Sequence, residues 1–195
     1  MFAGKLKTQF IMKILFQISL FILAFQFLNF EIIAQTEDVL RLKIINPGIA
    51  LEKSLGKTTT LETGIGFGYN FSYPNLQESS EGGVLYMFAP FVDIQGRKFY
   101  NLTRREAKGK SITGNSGNFL AVRMLYTSVA ANSNFVNFSD HSFAIGPTWG
   151  LQRNYGKINF QTSLGPIIYF DPLGNSGWFP LNIELNLGIN LNKKL

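Results

Sequence analysis

The chain contains no cysteine. Disulfides, thiolate metal sites, cysteine nucleophiles and lipidated cysteines are therefore excluded. Charge is scarce as well. Asp, Glu, Lys and Arg make up 15% of the 195 residues, against roughly 25% in an average soluble domain. There is one histidine, His141. After residue 34 no apolar run is long enough for a membrane-spanning helix, which needs about 20 residues. Aromatic residues stand at 14%, with 19 glycines. Few charges with many aromatics and glycines argue against a disordered chain and fit a protein that shows apolar surface to lipid.

The formal charge of +6 is unevenly placed. Lys5, Lys7 and Lys13 against Glu31 give residues 1–34 a net +2, leaving +4 for the rest. Arg97, Lys98, Arg104, Arg105, Lys108 and Lys110 against Glu106 give 97–110 a net +5. The basic balance is thus one local loop, not a nucleic-acid surface.

Lys13 precedes ILFQISLFILAFQFLNFEIIAQ. A basic start, an apolar run and a small residue at Ala34 predict a cleaved signal peptide over 1–34, with cleavage after Gln35 as the alternative. Met12 offers a second start, since MKILF is the more usual opening. An uncleaved helix over Phe10–Ile33 is the rival reading, weakened by Gln17, Gln26, Asn29 and Glu31.

Residues 35–195 then form a single domain whose dominant period is two. Leu181, Ile183, Leu185, Leu187, Ile189 and Leu191 alternate with Asn182, Glu184, Asn186, Gly188, Asn190 and Asn192. In a strand the two sets fall on opposite faces. Similar segments lie at 57–71, 84–97, 118–130, 142–154 and 157–170. The segment 40–54 changes parity at Asn46-Pro47-Gly48, which a β-bulge would explain. Seven long strands result, where small bacterial outer-membrane barrels have even numbers from eight. The missing strand falls in 98–116, in 131–140, or in a split of the first segment at Pro47. The expected fold is an all-β, antiparallel, up-and-down transmembrane β-barrel of eight strands. Short turns at 55–57 and 154–156 belong on the periplasmic side by the usual rule.

Alternation does not say which face is outside. A lipocalin-like soluble barrel would turn its apolar face inward. Three features favour lipid outside. The polar faces are rich in Gly, Asn, Thr and Gln but poor in Lys and Glu. Glycines 64, 66, 68, 146, 150, 165 and 188 all lie on them. Aromatics gather near strand ends: Tyr69, Phe71 and Tyr73; Tyr86 and Phe88; Tyr169 and Phe170; Trp178 and Phe179. Leu185, Leu187, Ile189, Phe160 and Leu164 are accordingly expected to face lipid.

The stretches NPGIALEKSLGKTTTLETGIGFGYN, FYNLTRREAKGKSITGNSGNFLAV and AIGPTWGLQRNYGKINFQTSLGP resemble small outer-membrane β-barrels of Gram-negative bacteria, a domain of unknown function in the OmpA/OmpX-like size class. The resemblance covers most of 40–191 and implies a barrel, with no catalytic residues to transfer. The final Asn192-Lys193-Lys194-Leu195 departs from the terminal aromatic that often marks such strands.

Catalysis is not expected. A lipid hydrolase needs a serine activated by a histidine. His141 and Ser142 are neighbours on a strand and point to opposite faces. One His and no Cys leave only scattered carboxylates for a metal, and no cofactor is expected. Gly64-Ile65-Gly66-Phe67-Gly68 lacks the spacing of a dinucleotide loop, and Gly114-Asn115-Ser116-Gly117-Asn118 is turn material without a phosphate-holding Lys. Two constellations remain. Glu52, Glu62, Asp93, Arg123 and Glu184 lie opposite the apolar sets, with Arg41 and Lys43 nearer one end. They are expected to form a polar network in the lumen with Arg123 as its hub. The loop Arg97, Lys98, Arg104, Arg105, Lys108 and Lys110 is a candidate anion site for lipid or lipopolysaccharide phosphates, with a merely solvated loop as the bland alternative. The expected role is structural or interactive in the cell envelope. A narrow channel or transporter is the alternative, and a lipid-modifying hydrolase is a weaker one.

Overall fold

The computed structural model describes residues 35–72, 85–133 and 139–191. The expected leader 1–34 lies outside them, as do the side chains of Tyr69, Phe71, Tyr73 and Tyr86.

About two thirds of the described chain is strand: β1 (Val39–Lys43), β2 (Gly48–Ser54), β3 (Thr59–Ser72), β4 (Leu85–Phe99), β5 (Asn118–Thr127), β6 (Asn132–Ser133), β7 (Ser142–Tyr155), β8 (Ile158–Phe170) and β9 (Ser176–Asn190), with one helical turn α1 (Leu102–Glu106). Every pairing is antiparallel, and the sheet closes on itself through eight strands, β1-β2-β3-β4-β5-β7-β8-β9 and back to β1. The two-residue β6 pairs with Met87–Phe88 and prolongs the line of β5 along β4. Among the described residues no helix is long and apolar enough to cross a membrane.

The eighth strand comes from the split at Pro47. The expected bulge in 40–54 is replaced by a turn over 44–47, with Leu42 opposite Ile49 and Leu40 opposite Leu51. Four connecting residues switch parity just as one bulged residue does, so alternation alone did not separate the two. The remaining bulge lies between β8 and β9, where Gly165 faces Asn182 but Ile167 faces Phe179. It extends β9 back past Pro180 and turns both Trp178 and Leu181 outward.

The faces sort by chemistry. Ile65 and Ile183 on the outer wall are 60% and 64% exposed, while Glu52, Gln95, Gln152 and Gln161 inside are 0% exposed. This is the reverse of a soluble sheet, and it is opposite to an interior built to enclose an apolar ligand. Leu185, Leu187, Ile189 and Leu164 are on the outer wall and exposed, and Phe160 there is half-buried. The glycines expected on the polar face point inward, all buried except the half-buried Gly66. Two of them have a steric reason. A methyl group on Gly150 would strike the Phe119 ring, and one on Gly146 would strike the Pro166 carbonyl of the neighbouring strand.

The ring has two ends. At the near end β1 begins and β9 finishes, and the connections there are 55–58, 100–117 and 156–157. At the far end lie the turns 44–47 and 171–175, with the ends of β3 and β5 and the starts of β4 and β7. The near end is closed from within by Phe99, Leu102, Phe119 and Ala121, with Ile112 packed against them. Phe99 and Phe119 meet edge to face, centroids 5.5 Å apart. This small cluster is the packed apolar core; among the described residues most of the other buried side chains are polar or charged.

Candidate functional site: the charged interior

Among the described residues the buried charged side chains are four cations, Arg41, Lys43, Arg97 and Arg123, and four carboxylates, Glu52, Glu62, Asp93 and Glu184. Alternation along β1 to β5 and β9 delivers them to one interior. A charge held away from water must be paired and hydrogen-bonded, and each of these is.

Glu62 is the centre. Arg97 grips both its oxygens, with Nη1 to Oε2 at 2.6 Å and Nη2 to Oε1 at 2.8 Å. Lys43 Nζ donates at 2.8 Å and Arg41 Nη1 at 3.0 Å. Two-pronged guanidinium–carboxylate pairs are among the strongest polar contacts. Glu52 receives Arg41 at 2.6 Å, Thr60 Oγ1 at 2.7 Å and Gln152 Nε2 at 3.1 Å. Arg97 also donates to the Gln95 and Gln152 side-chain oxygens and lies over the Phe119 ring, 4.9 Å from its centroid. It therefore joins the ionic layer to the apolar cluster.

Toward the far end the packing loosens. Arg123 holds Asp93 with Nε at 3.0 Å and Nη2 at 2.9 Å, and stands 3.5 Å from Glu184. Glu184 accepts from Gln95 at 3.0 Å, Ser163 at 3.2 Å and Asn186 at 2.8 Å. Lys43, Asp93, Arg123, Glu184 and Asn186 border a cleft of about 30 Å³, room for one or two waters. Thr148 Oγ1, both amide atoms of Gln161 and Asn186 Oδ1 are buried without a protein partner. Water is the natural partner for such groups.

The near end is sealed by the 111–117 segment. The Gly114 carbonyl accepts from Arg41, Gln152 and Asn154, at 3.1, 2.9 and 2.7 Å. Gly114 and Asn115 both take positive φ, 60° and 64°, which turns the carbonyl inward. Glu37 fastens the segment from the amino-terminal side: its carboxylate accepts from the Gly114 backbone N–H, and its own backbone N–H and carbonyl bond the Asn115 side-chain amide.

Two expectations need correction. Arg123 is not the hub. It serves the far-end pair with Asp93, whereas Glu62 and Arg97 occupy the middle. Arg97 also leaves the candidate anion loop, because it sits inside β4 at 1% exposure. Residues 93, 95, 97 and 99 all face inward, and extending that parity by one step would have found it. Gln95, Gln152 and Gln161 were likewise missed, since uncharged amides carry no signal beyond parity. Lys98 faces outward on β4, and Arg104, Lys108 and Lys110 project from the near end with Arg105 half-buried among them. His141 is exposed, with Nδ1 2.9 Å from Tyr126 Oη and the two rings stacked.

Comparison with family models, with curated proteins and with solved structures finds no match to this chain.

Proposed function

We propose that the chain is a small outer-membrane β-barrel of a Gram-negative envelope, exported by a cleaved leader over 1–34, with a filled polar lumen and a structural or interaction role rather than a catalytic one. The observation that carries this reading is the inversion of the closed ring, apolar on its outer wall and charge-balanced within. Strands of 13–15 residues in β3, β4, β7, β8 and β9 exceed the ~9–11 needed to cross the hydrocarbon at a tilt. An eight-stranded barrel is just wide enough for its own side chains. The short connections 55–58 and 156–157 favour the periplasmic side for the near end, since barrels of this kind keep their short turns there.

Membrane fractionation with gel mobility before and after heating tests the reading. The protein should resist carbonate extraction from the outer-membrane fraction and migrate faster unheated. A carbonate-soluble protein without a heat shift rejects it.

A narrow channel is the second reading, favoured by the far-end cleft between Lys43, Asp93, Arg123 and Glu184. The path ends at the Arg97–Glu62 pair and the 111–117 segment. Stable single-channel conductance from purified protein, with its ion selectivity altered by Arg123→Gln, would establish the channel instead.

A further inference from the structure

The outer wall carries a feature at its near end that the lumen does not explain. Tyr100 and Trp149 are bonded to each other, Trp149 Nε1 to Tyr100 Oη at 2.8 Å, and both rings stay exposed. Asn118 Nδ2 donates to the same phenol at 3.3 Å. Arg153 Nη2 donates to Asn118 Oδ1 at 2.6 Å, so its guanidinium is set beside the pair. Lys98 lies two residues before Tyr100 and opposite Leu120, which is itself opposite Trp149. Two strand spacings, about 10 Å, separate Lys98 from Trp149. Arg105 of α1, at the same end of the ring, donates Nε and Nη2 to the Ser111 carbonyl at 3.3 and 2.9 Å.

These cations have no carboxylate. Among the described residues Lys98, Arg105 and Arg153 enter no ion pair. The near-end carboxylates are used elsewhere: Glu37 by Gly114, Asp38 by Lys53 and Ser54, Glu106 by Gln35. Below the cluster the wall is apolar, with Leu120 and Val122 each 56% exposed. Uncompensated cations around an amphipathic aromatic pair, at the edge of an apolar belt, fit a molecule with an anionic head and apolar tails.

We propose that Lys98, Arg105 and Arg153, with Tyr100 and Trp149, form a binding site for the phosphate headgroup of an anionic phospholipid in the leaflet that meets the near end. The proposal rests on the membrane-spanning reading. Lys98 and Arg105 hold the phosphate charge, Arg153 adds positive field from its fixed position, and the two rings mark the depth at which headgroup gives way to chain.

The test uses the mature chain in a Trp178→Phe background, leaving Trp149 as its fluorophore, refolded into phosphatidylcholine vesicles doped with brominated phosphatidylglycerol or brominated phosphatidylcholine. Brominated phosphatidylglycerol should quench Trp149 several-fold more effectively at equal mole fraction. Lys98→Gln should reduce that preference about fivefold, the usual worth of one basic residue at such a surface, and Lys98→Gln/Arg105→Gln should remove it. Lys98→Arg should retain it. If the double variant fails to fold, the Lys98→Gln and Lys98→Arg pair decides. Equal quenching by the two lipids overturns the site, as does a preference that survives Lys98→Gln unchanged. So does displacement of the lipid by lipopolysaccharide or by free inorganic phosphate. A protein that carbonate strips from the vesicles defeats the membrane reading itself; one that stays inserted without preference defeats only this site.

Discussion

Arg97 and Glu62 face each other from β4 and β3 in the middle of the ring, both guanidinium nitrogens on both carboxylate oxygens. Arg41 and Lys43 close on the same carboxylate from β1. One acidic residue thus ties three strands together and is shared by three cations.

Glu62→Met should therefore destabilise the protein by about 3–5 kcal/mol, because it leaves buried cations uncompensated. Arg97→Met/Glu62→Met restores the balance and should lose less than Glu62→Met alone. The coupling should be about 0.5–3 kcal/mol in a double-mutant cycle, read by urea unfolding in lipid vesicles. Strictly additive losses would mean that the pair is not a unit.

Ile183→Arg, in the middle of β9 and 64% accessible, should lower the folded fraction in vesicles by an amount corresponding to about 2–4 kcal/mol, the cost of a basic side chain near a bilayer midplane. Leu55→Arg, in the exposed near-end turn and 59% accessible, should have little effect. Equal losses at both positions would reject a lipid-facing wall at β9.

Gly150→Ala should cost about 1–3 kcal/mol through overpacking against Phe119. Pairing it with Phe119→Leu should recover part of that loss, measured by the same unfolding assay. A neutral Gly150→Ala would show that the ring can move aside.

Asp171 organises the far-end turn 171–175. Its carboxylate accepts from the Asn175 side chain at 2.8 Å and from the Leu173 and Asn175 amides at 2.9 Å each. The Asn175 amide first, then the backbone donors, hold its pKa below the ordinary 3.8. A depressed carboxylate pKa supports the turn fully above that ordinary value and loses its effect as pH falls through the lowered one. The protection of the Leu173 and Asn175 amides, taken as exchange relative to the intrinsic rate at each pH, should fall only at the acid end, and Asp171→Asn should abolish that pH dependence.

The strand plan was legible because period two survives in the sequence wherever one face is polar. Leu181–Asn192 and 157–170 declared their faces plainly. Pro47 was ambiguous, since an even-numbered turn and a bulge shift parity alike. Arg97 was misplaced because its neighbours Lys98, Arg104 and Arg105 gave it the look of a loop, while its parity belonged to the interior. Asp93, Arg123, Glu52, Glu62 and Glu184 were visible as inward charges, but their partners depend on register between strands remote in the chain. The seal made by Gly114 and Asn115 depends on φ angles and distant donors that a turn-like string does not announce.

The seam that closes the ring is short. Among the described residues Arg41, Leu42 and Lys43 of β1 pair with β9, and one backbone bond beyond each end of that run (Ile44 N–H to the Leu187 carbonyl, Leu191 N–H to the Leu40 carbonyl) extends the seam. Arg41 bonds Asn190 across 149 residues of chain. A chain truncated before β9 cannot close the ring: the outer edge of β1 and the free edge of β8 both stay unpaired, a template for pairing with other chains.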